Sequence, residues 1–327
     1  MAMNRPILSV YDLKMHYRTR KGEVSAVDGV SFDLERGQAL GLVGESGCGK
    51  TSVAFSLIRL LPDNATIKEG YILIGGQDIV AMDQDELLKV RWKRIAMVFQ
   101  AAMNALNPVY TVGDQIVEAI ELHLGSISPR DARERIAGLF ELVGLDPVLM
   151  DRYPHEFSGG MRQRAVIAMA LSCNPEIIIA DEPTTALDVI VQDRILRRIR
   201  TLQKELNMAM IYISHDIAVI AEVSDRIGVM YAGRMAELAD TDQIFRRPLH
   251  PYTRALLSAF PSIKGPRRTL ETLPGEPPDL LNPPPGCRFH PRCPYVTDQC
   301  REQQPAFEDL GNHHFVACWH PLEGSRR

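Results

Sequence analysis

The 327-residue chain has no uninterrupted apolar run near the roughly 18 residues a membrane-crossing helix needs. It shows no export leader either: Met1-Ala2-Met3-Asn4-Arg5-Pro6 carries neither an apolar core nor a small-residue cleavage site. The expectation is a cytosolic protein, or one peripheral on the cytosolic face of the cell membrane. A basic excess is missing too. Against 41 Asp and Glu stand 37 Lys and Arg, a net charge of −4, which argues against a nucleic-acid partner. No internal repeat is visible. No two cysteines stand in the tight C-x2–4-C spacing usual for a structural zinc knuckle.

What is present describes an ordinary soluble α/β protein, 45% apolar and 24% charged, long enough for one domain and a smaller appendage. Three short strings carry the chemistry. Gly44-Glu45-Ser46-Gly47-Cys48-Gly49-Lys50-Thr51 fits the phosphate-loop pattern G-x-x-x-x-G-K-[ST] without a mismatch. Its glycines let backbone N–H groups turn onto phosphate oxygens at a helix N-terminus. Lys50 can reach the β- and γ-phosphates, and the Thr51 hydroxyl can ligate Mg²⁺. About 110 residues on comes Phe157-Ser158-Gly159-Gly160-Met161, and about 20 further the apolar run Ile177–Ala180 ends in Asp181-Glu182. There Asp181 would hold the Mg²⁺ shell and Glu182 would face the attacking water.

The bland reading of each string is a turn or a strand end, since Gly tolerates positive φ and Ser bonds nearby backbone. Their joint order and spacing argue against it.

Periodicity supplies the frame. Alternating sets run over Leu8, Val10, Met15 and Tyr17, and again over Val30, Phe32 and Leu34. Leu40–Val43 is a buried run feeding the loop, and 51–61 reads as the helix after it, stopped by Pro62. Tyr71–Ile74 before Gly75-Gly76 begins a hairpin, and Ile95–Phe99 is a strand ending at Gln100. From Thr111 to about Ala170 the reading turns helical. Val112, Ile116 and Ile120 share a face, Ser128-Pro129 with Asp131 starts a helix, and Gly144 ends one. Strand–helix alternation resumes over 176–180, 189–206, 208–213, 217–223 and 226–230, and Ala232-Gly233 makes a hairpin. Eight of the 22 prolines fall in 261–286, an extended connector. Four of the six cysteines crowd into 287–318.

In order and spacing, the three strings resemble the ATP-binding cassette (ABC) ATPases, over roughly residues 7–260. The resemblance implies an α/β fold: a P-loop NTPase (RecA-like) core with an antiparallel β subdomain and a helical subdomain inserted at about 101–170. It also implies an ATP- and Mg²⁺-dependent hydrolase. Residues 44–51 with Ser52 would hold the nucleotide, and Tyr17 would stack on adenine. Gln100 would sense Mg²⁺ and the attacking water, and the segment after it would touch a membrane partner. His215, in Ser214-His215-Asp216, would contact the γ-phosphate. Ser158, Gly159 and Gly160, and Asp188 in Ala186-Leu187-Asp188, would act across the interface with a second ATPase subunit. Phe157 and Met161 depart from the Leu and Gln that many members carry, while the Ser-Gly-Gly core is intact.

The tail reads Cys287-x5-Cys293-x6-Cys300-x17-Cys318. Disulfides suit an oxidising compartment, zinc usually shows a tighter pair, and an iron–sulfur cluster takes four thiolates at more varied spacing. With His250-Pro251-Tyr252-Thr253 and the Pro-rich connector, this tail resembles that of the ATPase subunits of oligopeptide and dipeptide importers. In some of those, four such cysteines carry a [4Fe–4S] cluster; zinc, and unliganded thiols or disulfides, remain open. Cys48 and Cys173 read as small packing residues.

The resulting expectation is three segments: a nucleotide-binding domain at 1–260, a connector at 261–286 and a Cys-rich module at 287–327. The chain would pair with a homologous, non-identical ATPase and dock on two transmembrane permease subunits supplied by an extracytoplasmic substrate-binding protein. Alternatives are an importer ATPase for nickel, an opine or an oligosaccharide, or a soluble ABC ATPase on ribosomes or DNA. The latter types usually carry two cassettes or a coiled coil, and neither is present.

Overall fold

The computed structural model describes residues 5–100, 105–183, 189–259 and 273–322. They form two compact units, each woven from separate stretches of chain. One unit comprises Met1–Leu8, Leu34–Gln38 and Ile74–Tyr212; the other comprises Ser9–Asp33, Ala39–Leu73 and Ile213–Arg327.

In the first unit the strands Ile95–Val98 and Ile177–Asp181 pair in parallel, with Ile95 opposite Ile177 and Val98 opposite Ala180. Ile177–Asp181 is buried at every position, the continuous apolar pattern of a parallel strand covered on both faces. Glu176, just before it, accepts from Arg94 Nε at 3.0 Å and from Arg36 at 2.5 Å, which fixes where the strand begins.

Three helices, Val112–Leu124, Pro129–Val143 and Gly159–Leu171, pack on one another in this unit. Val112, Ile116 and Ile120 form the buried stripe of the first. The second starts where Ser128 Oγ accepts from the Asp131 N–H and Pro129 opens the first turn, a cap that contributes about 1 kcal/mol. It ends at Gly144, whose φ of 75° is the left-handed conformation a helix stop favours. The stretch with helical periodicity is therefore helical.

In the second unit Ala39–Val43 lies parallel to Arg226–Tyr231, with Leu40 opposite Arg226 and Val43 opposite Val229. Gly41 lets the helix Ile217–Val223 approach closely: a Cβ there would lie 2.0 Å from Ile220 Cγ2. Arg226–Tyr231 turns back into Arg234–Asp240 through Ala232 (φ 48°) and Gly233 (φ 83°), both left-handed as a two-residue hairpin with the sheet's own twist demands. Beside these strands lies a second sheet, in which Leu8–Thr19 runs between Gly22–Leu34 and Ala65–Ile74.

The cysteine-bearing tail is built into this unit. Phe315–Val316 pairs antiparallel with Arg234–Asp240, and Glu308–Asp309 pairs with Phe315–Val316. Beneath it, Glu237 is completely buried and accepts from Leu249 N at 2.7 Å, His250 N at 2.9 Å and His314 Nε2 at 2.6 Å. A buried carboxylate holds only when its oxygens are met by donors in this way.

Candidate nucleotide-binding site

The phosphate loop leaves the buried strand Ala39–Val43 and turns into the helix Lys50–Leu57. Gly44, Gly47 and Gly49 all take positive φ, at 154°, 79° and 104°. A Cβ at Gly44 would lie 2.2 Å from the Met230 carbonyl, and one at Gly49 would lie 2.2 Å from the Ala26 carbonyl; Gly47 faces open space. Gly49 caps the helix without a side-chain hydrogen bond, and no acid stands in its first turn. A positive dipole end and no competing carboxylate in that turn fit a bound polyphosphate. Lys50, almost wholly buried, donates from Nζ to the Gly44 carbonyl at 2.8 Å, to the Glu45 carbonyl at 3.0 Å and toward Cys48 Sγ at 3.5 Å. Thr51 follows it, half-buried, with a hydroxyl suited to Mg²⁺.

Of the other residues expected here in the second unit, half-buried Tyr17 brings its hydroxyl to 3.2 Å from Ser52 Oγ. Ser46 is exposed on the loop. His215 is exposed at the end of the strand Ala209–Ser214, just before the helix that Asp216 caps.

The first unit carries the carboxylates. Asp181 ends the strand Ile177–Asp181 and is 1% exposed. Glu182 follows at φ 45°, a left-handed conformation rare for a side-chain-bearing residue and frequent at functional sites. Gln100, from just beyond the neighbouring parallel strand, donates from Nε2 to Glu182 Oε2 at 2.9 Å. Ser158 is the N-cap of the helix Gly159–Leu171, its Oγ accepting from Met161 N at 3.3 Å. Phe157 is buried and Met161 half-buried, so these two departures from the common pattern stand in different surroundings. Asp188 and the four residues after Gln100 lie outside the described residues.

Two contacts to the phosphate loop are invisible in the motif. The Glu45 N–H donates to Tyr252 Oη at 3.0 Å, so this amide of the loop is committed within the protein. The Glu45 carboxylate is gripped by Arg292, with Nη1 to Oε2 at 2.6 Å and Nη2 to Oε1 at 3.0 Å. The His-Pro-Tyr-Thr string has a physical role in this. His250 caps the helix Pro251–Ser258 through Nδ1, which accepts from Tyr252 N at 3.0 Å, and Tyr252 is buried beneath the loop.

In the tail, Cys287, Cys293, Cys300 and Cys318 line a single pocket with His250, Phe289 and Trp319. All four are free thiols. Burial pushes Cys287 up to about 11 and Cys318 up to about 12, and raises Cys293 as well. Cys287 and Cys318 are therefore protonated near neutral pH, and a cation bound there must displace their protons. Among the described residues, no three His, Cys, Asp or Glu side chains converge as a group able to hold a single metal ion.

Two family models match the chain: ABC transporter over residues 27–185, and the oligopeptide/dipeptide transporter C-terminal region over 236–300. The chain is 45% identical to the dipeptide transport ATP-binding protein DppD of Bacillus subtilis, covering 96% of this chain and 94% of that protein. It is 43% identical to the oligopeptide transport ATP-binding protein OppD of Escherichia coli, over 97% and 94%. A dimeric ATP-binding cassette solved in a post-hydrolysis state with ADP and phosphate aligns with a TM-score of 0.64 at 27% identity. That alignment covers 72% of this chain and 98% of the cassette. The chain belongs to the ABC transporter ATP-binding proteins, in the branch that carries the oligopeptide/dipeptide transporter C-terminal region.

Proposed function

We propose that this chain is the ATP-hydrolysing subunit of an importer for di- or oligopeptides. It works as one of two homologous, non-identical ATPases beneath two membrane-spanning permease subunits, with a substrate-binding protein outside the membrane delivering cargo. Among the described residues no helix is long and apolar enough to cross a membrane. Peptide cargo is supported by the relatives, whose names specify dipeptide and oligopeptide transport.

The observation that carries the hydrolytic reading is the Gln100–Glu182 hydrogen bond beyond two adjacent parallel strands. In-line phosphoryl transfer to water depends mostly on positioning and charge stabilisation. Lys50 and the loop amides neutralise the phosphates. Thr51 and Asp181 are the residues that would hold Mg²⁺, which would supply further positive charge when bound. Glu182 takes the proton of the attacking water while Gln100 fixes its carboxylate, and His215 braces the γ-phosphate. Tyr17 stacks on the adenine. Ser158, Gly159, Gly160 and Asp188 serve the nucleotide interface with the partner ATPase, so turnover requires the pair.

In the tail, Cys287, Cys293, Cys300 and Cys318 are the residues that would hold a [4Fe–4S] cluster. Four thiol donors in a common pocket support it. About four irons and four acid-labile sulfides per anaerobically purified chain is the expected result. One zinc per chain, or no metal, overturns it and leaves the ATPase reading standing.

Co-expression with its membrane subunits tests the transporter reading. Peptide uptake that depends on ATP and on Lys50 is expected; an active ATPase that never joins membrane subunits would contradict it.

A further inference from the structure

Glu45 places a carboxylate inside a loop whose task is to receive a polyanion. Unpaired, that charge would repel the phosphates the loop amides attract. It is paired by a residue 247 positions away in the chain. Arg292 meets both carboxylate oxygens at 2.6 and 3.0 Å, the two-pronged geometry that makes arginine–carboxylate pairs strong.

Arg292 itself is held on its other edges. Its Nε donates to the Pro274 carbonyl at 2.8 Å and Nη1 also to Tyr231 Oη at 3.3 Å, while the guanidinium carbon lies 5.8 Å from the centre of the Tyr231 ring. The residue is 7% exposed, so the pair is shielded from solvent on the arginine side. Arg292 ends the short turn His290–Arg292 and adjoins Cys293. Five residues from that cysteine, Arg288 anchors the same segment to the Asp28 carboxylate and the Ala232 carbonyl.

We propose that Arg292 is a positioning residue for the nucleotide: it clamps and neutralises Glu45, and so keeps the phosphate loop receptive to ATP. The cysteine-bearing tail is then part of the nucleotide-binding apparatus. This rests on the reading of residues 44–51 as the phosphate cradle.

The test is equilibrium MgATP binding and steady-state hydrolysis by the full-length chain in its assembled complex. Arg292→Ala is expected to weaken MgATP binding and raise KM by about tenfold or more, with kcat within about threefold. In the Glu45→Gln background the same substitution should cost less than about threefold, because no carboxylate is left to neutralise. Arg292→Lys, which keeps the charge and loses the fork, should fall between. A purely structural arginine would lower stability and kcat alike in both backgrounds. Unchanged MgATP affinity in Arg292→Ala, or an equal penalty in the Glu45→Gln background, overturns the proposal. If Arg292→Ala does not fold, Arg292→Lys and the double variant decide. Lys50→Ala separates the two readings. Normal MgATP binding in that variant would overturn the phosphate-cradle assignment itself, whatever Arg292 does.

Discussion

Gln100 Nε2 donates to Glu182 Oε2 at 2.9 Å, joining the residues that follow two parallel strands. The bond orients a carboxylate whose backbone already sits in the left-handed region, at φ 45°. Gln100→Ala removes that orientation and leaves the carboxylate and the phosphate loop in place. The expected outcome is a fall in kcat of about tenfold to a hundredfold, with MgATP affinity changed less than about threefold. Phosphate release and nucleotide titration measure the two separately.

Glu237 answers three donors while wholly buried: the N–H groups of Leu249 and His250 and the His314 ring. Glu237→Ala strands all three. Destabilisation of about 3–5 kcal/mol is expected in denaturant unfolding, and Glu237→Gln, which keeps an acceptor, should cost less.

Burial lowers His250 to about 4, so it is neutral in the folded chain and its Nδ1 stays free to cap the helix Pro251–Ser258. The unfolded chain takes up a proton there near the ordinary value of 6.5. Stability is therefore lost as pH falls from about 6.5 toward 4, by an amount on the order of 3 kcal/mol. His250→Asn retains a capping acceptor and removes the titration. Its stability should depend on pH by about one proton less over that window, read from unfolding free energies at a series of pH values.

The raised tail thiols predict slow chemistry in the metal-free chain. With Cys287 near 11 and Cys318 near 12, the thiolate fraction at pH 7.5 is below about one in a thousand. Alkylation by iodoacetamide, followed by mass spectrometry, should run at least about a hundredfold slower than for an exposed thiol.

What was legible in the sequence was local. Gly44 to Thr51 announces its own conformation, because three glycines must supply positive φ, and Ser128-Pro129 announces a helix start. Where the helix after the loop stops was not legible. Periodicity and Pro62 suggest 51–61, yet the helix ends at Leu57 because Arg59 adopts φ 49°. There Leu60 N bonds Phe55 O and Arg59 N bonds Ser56 O, both at 3.0 Å. That is a Schellman stop made without the glycine that would have signalled it. Nor could spacing reveal contacts between distant parts of the chain. Tyr252 and Arg292 reach Glu45 only because the tail folds back beneath the loop, and pairing across about 200 residues leaves no periodic trace. The strain at Glu182 is equally silent in sequence, since it belongs to the backbone and not to the residue type.

Whether Glu182 is the base is decided by the turnover of Glu182→Gln in the assembled transporter, measured as phosphate release beside equilibrium MgATP binding. Hydrolysis is expected to be lost while ATP still binds and holds the paired ATPases in a closed, ATP-bound dimer. Turnover at the native rate would contradict the assignment of Glu182 as the base.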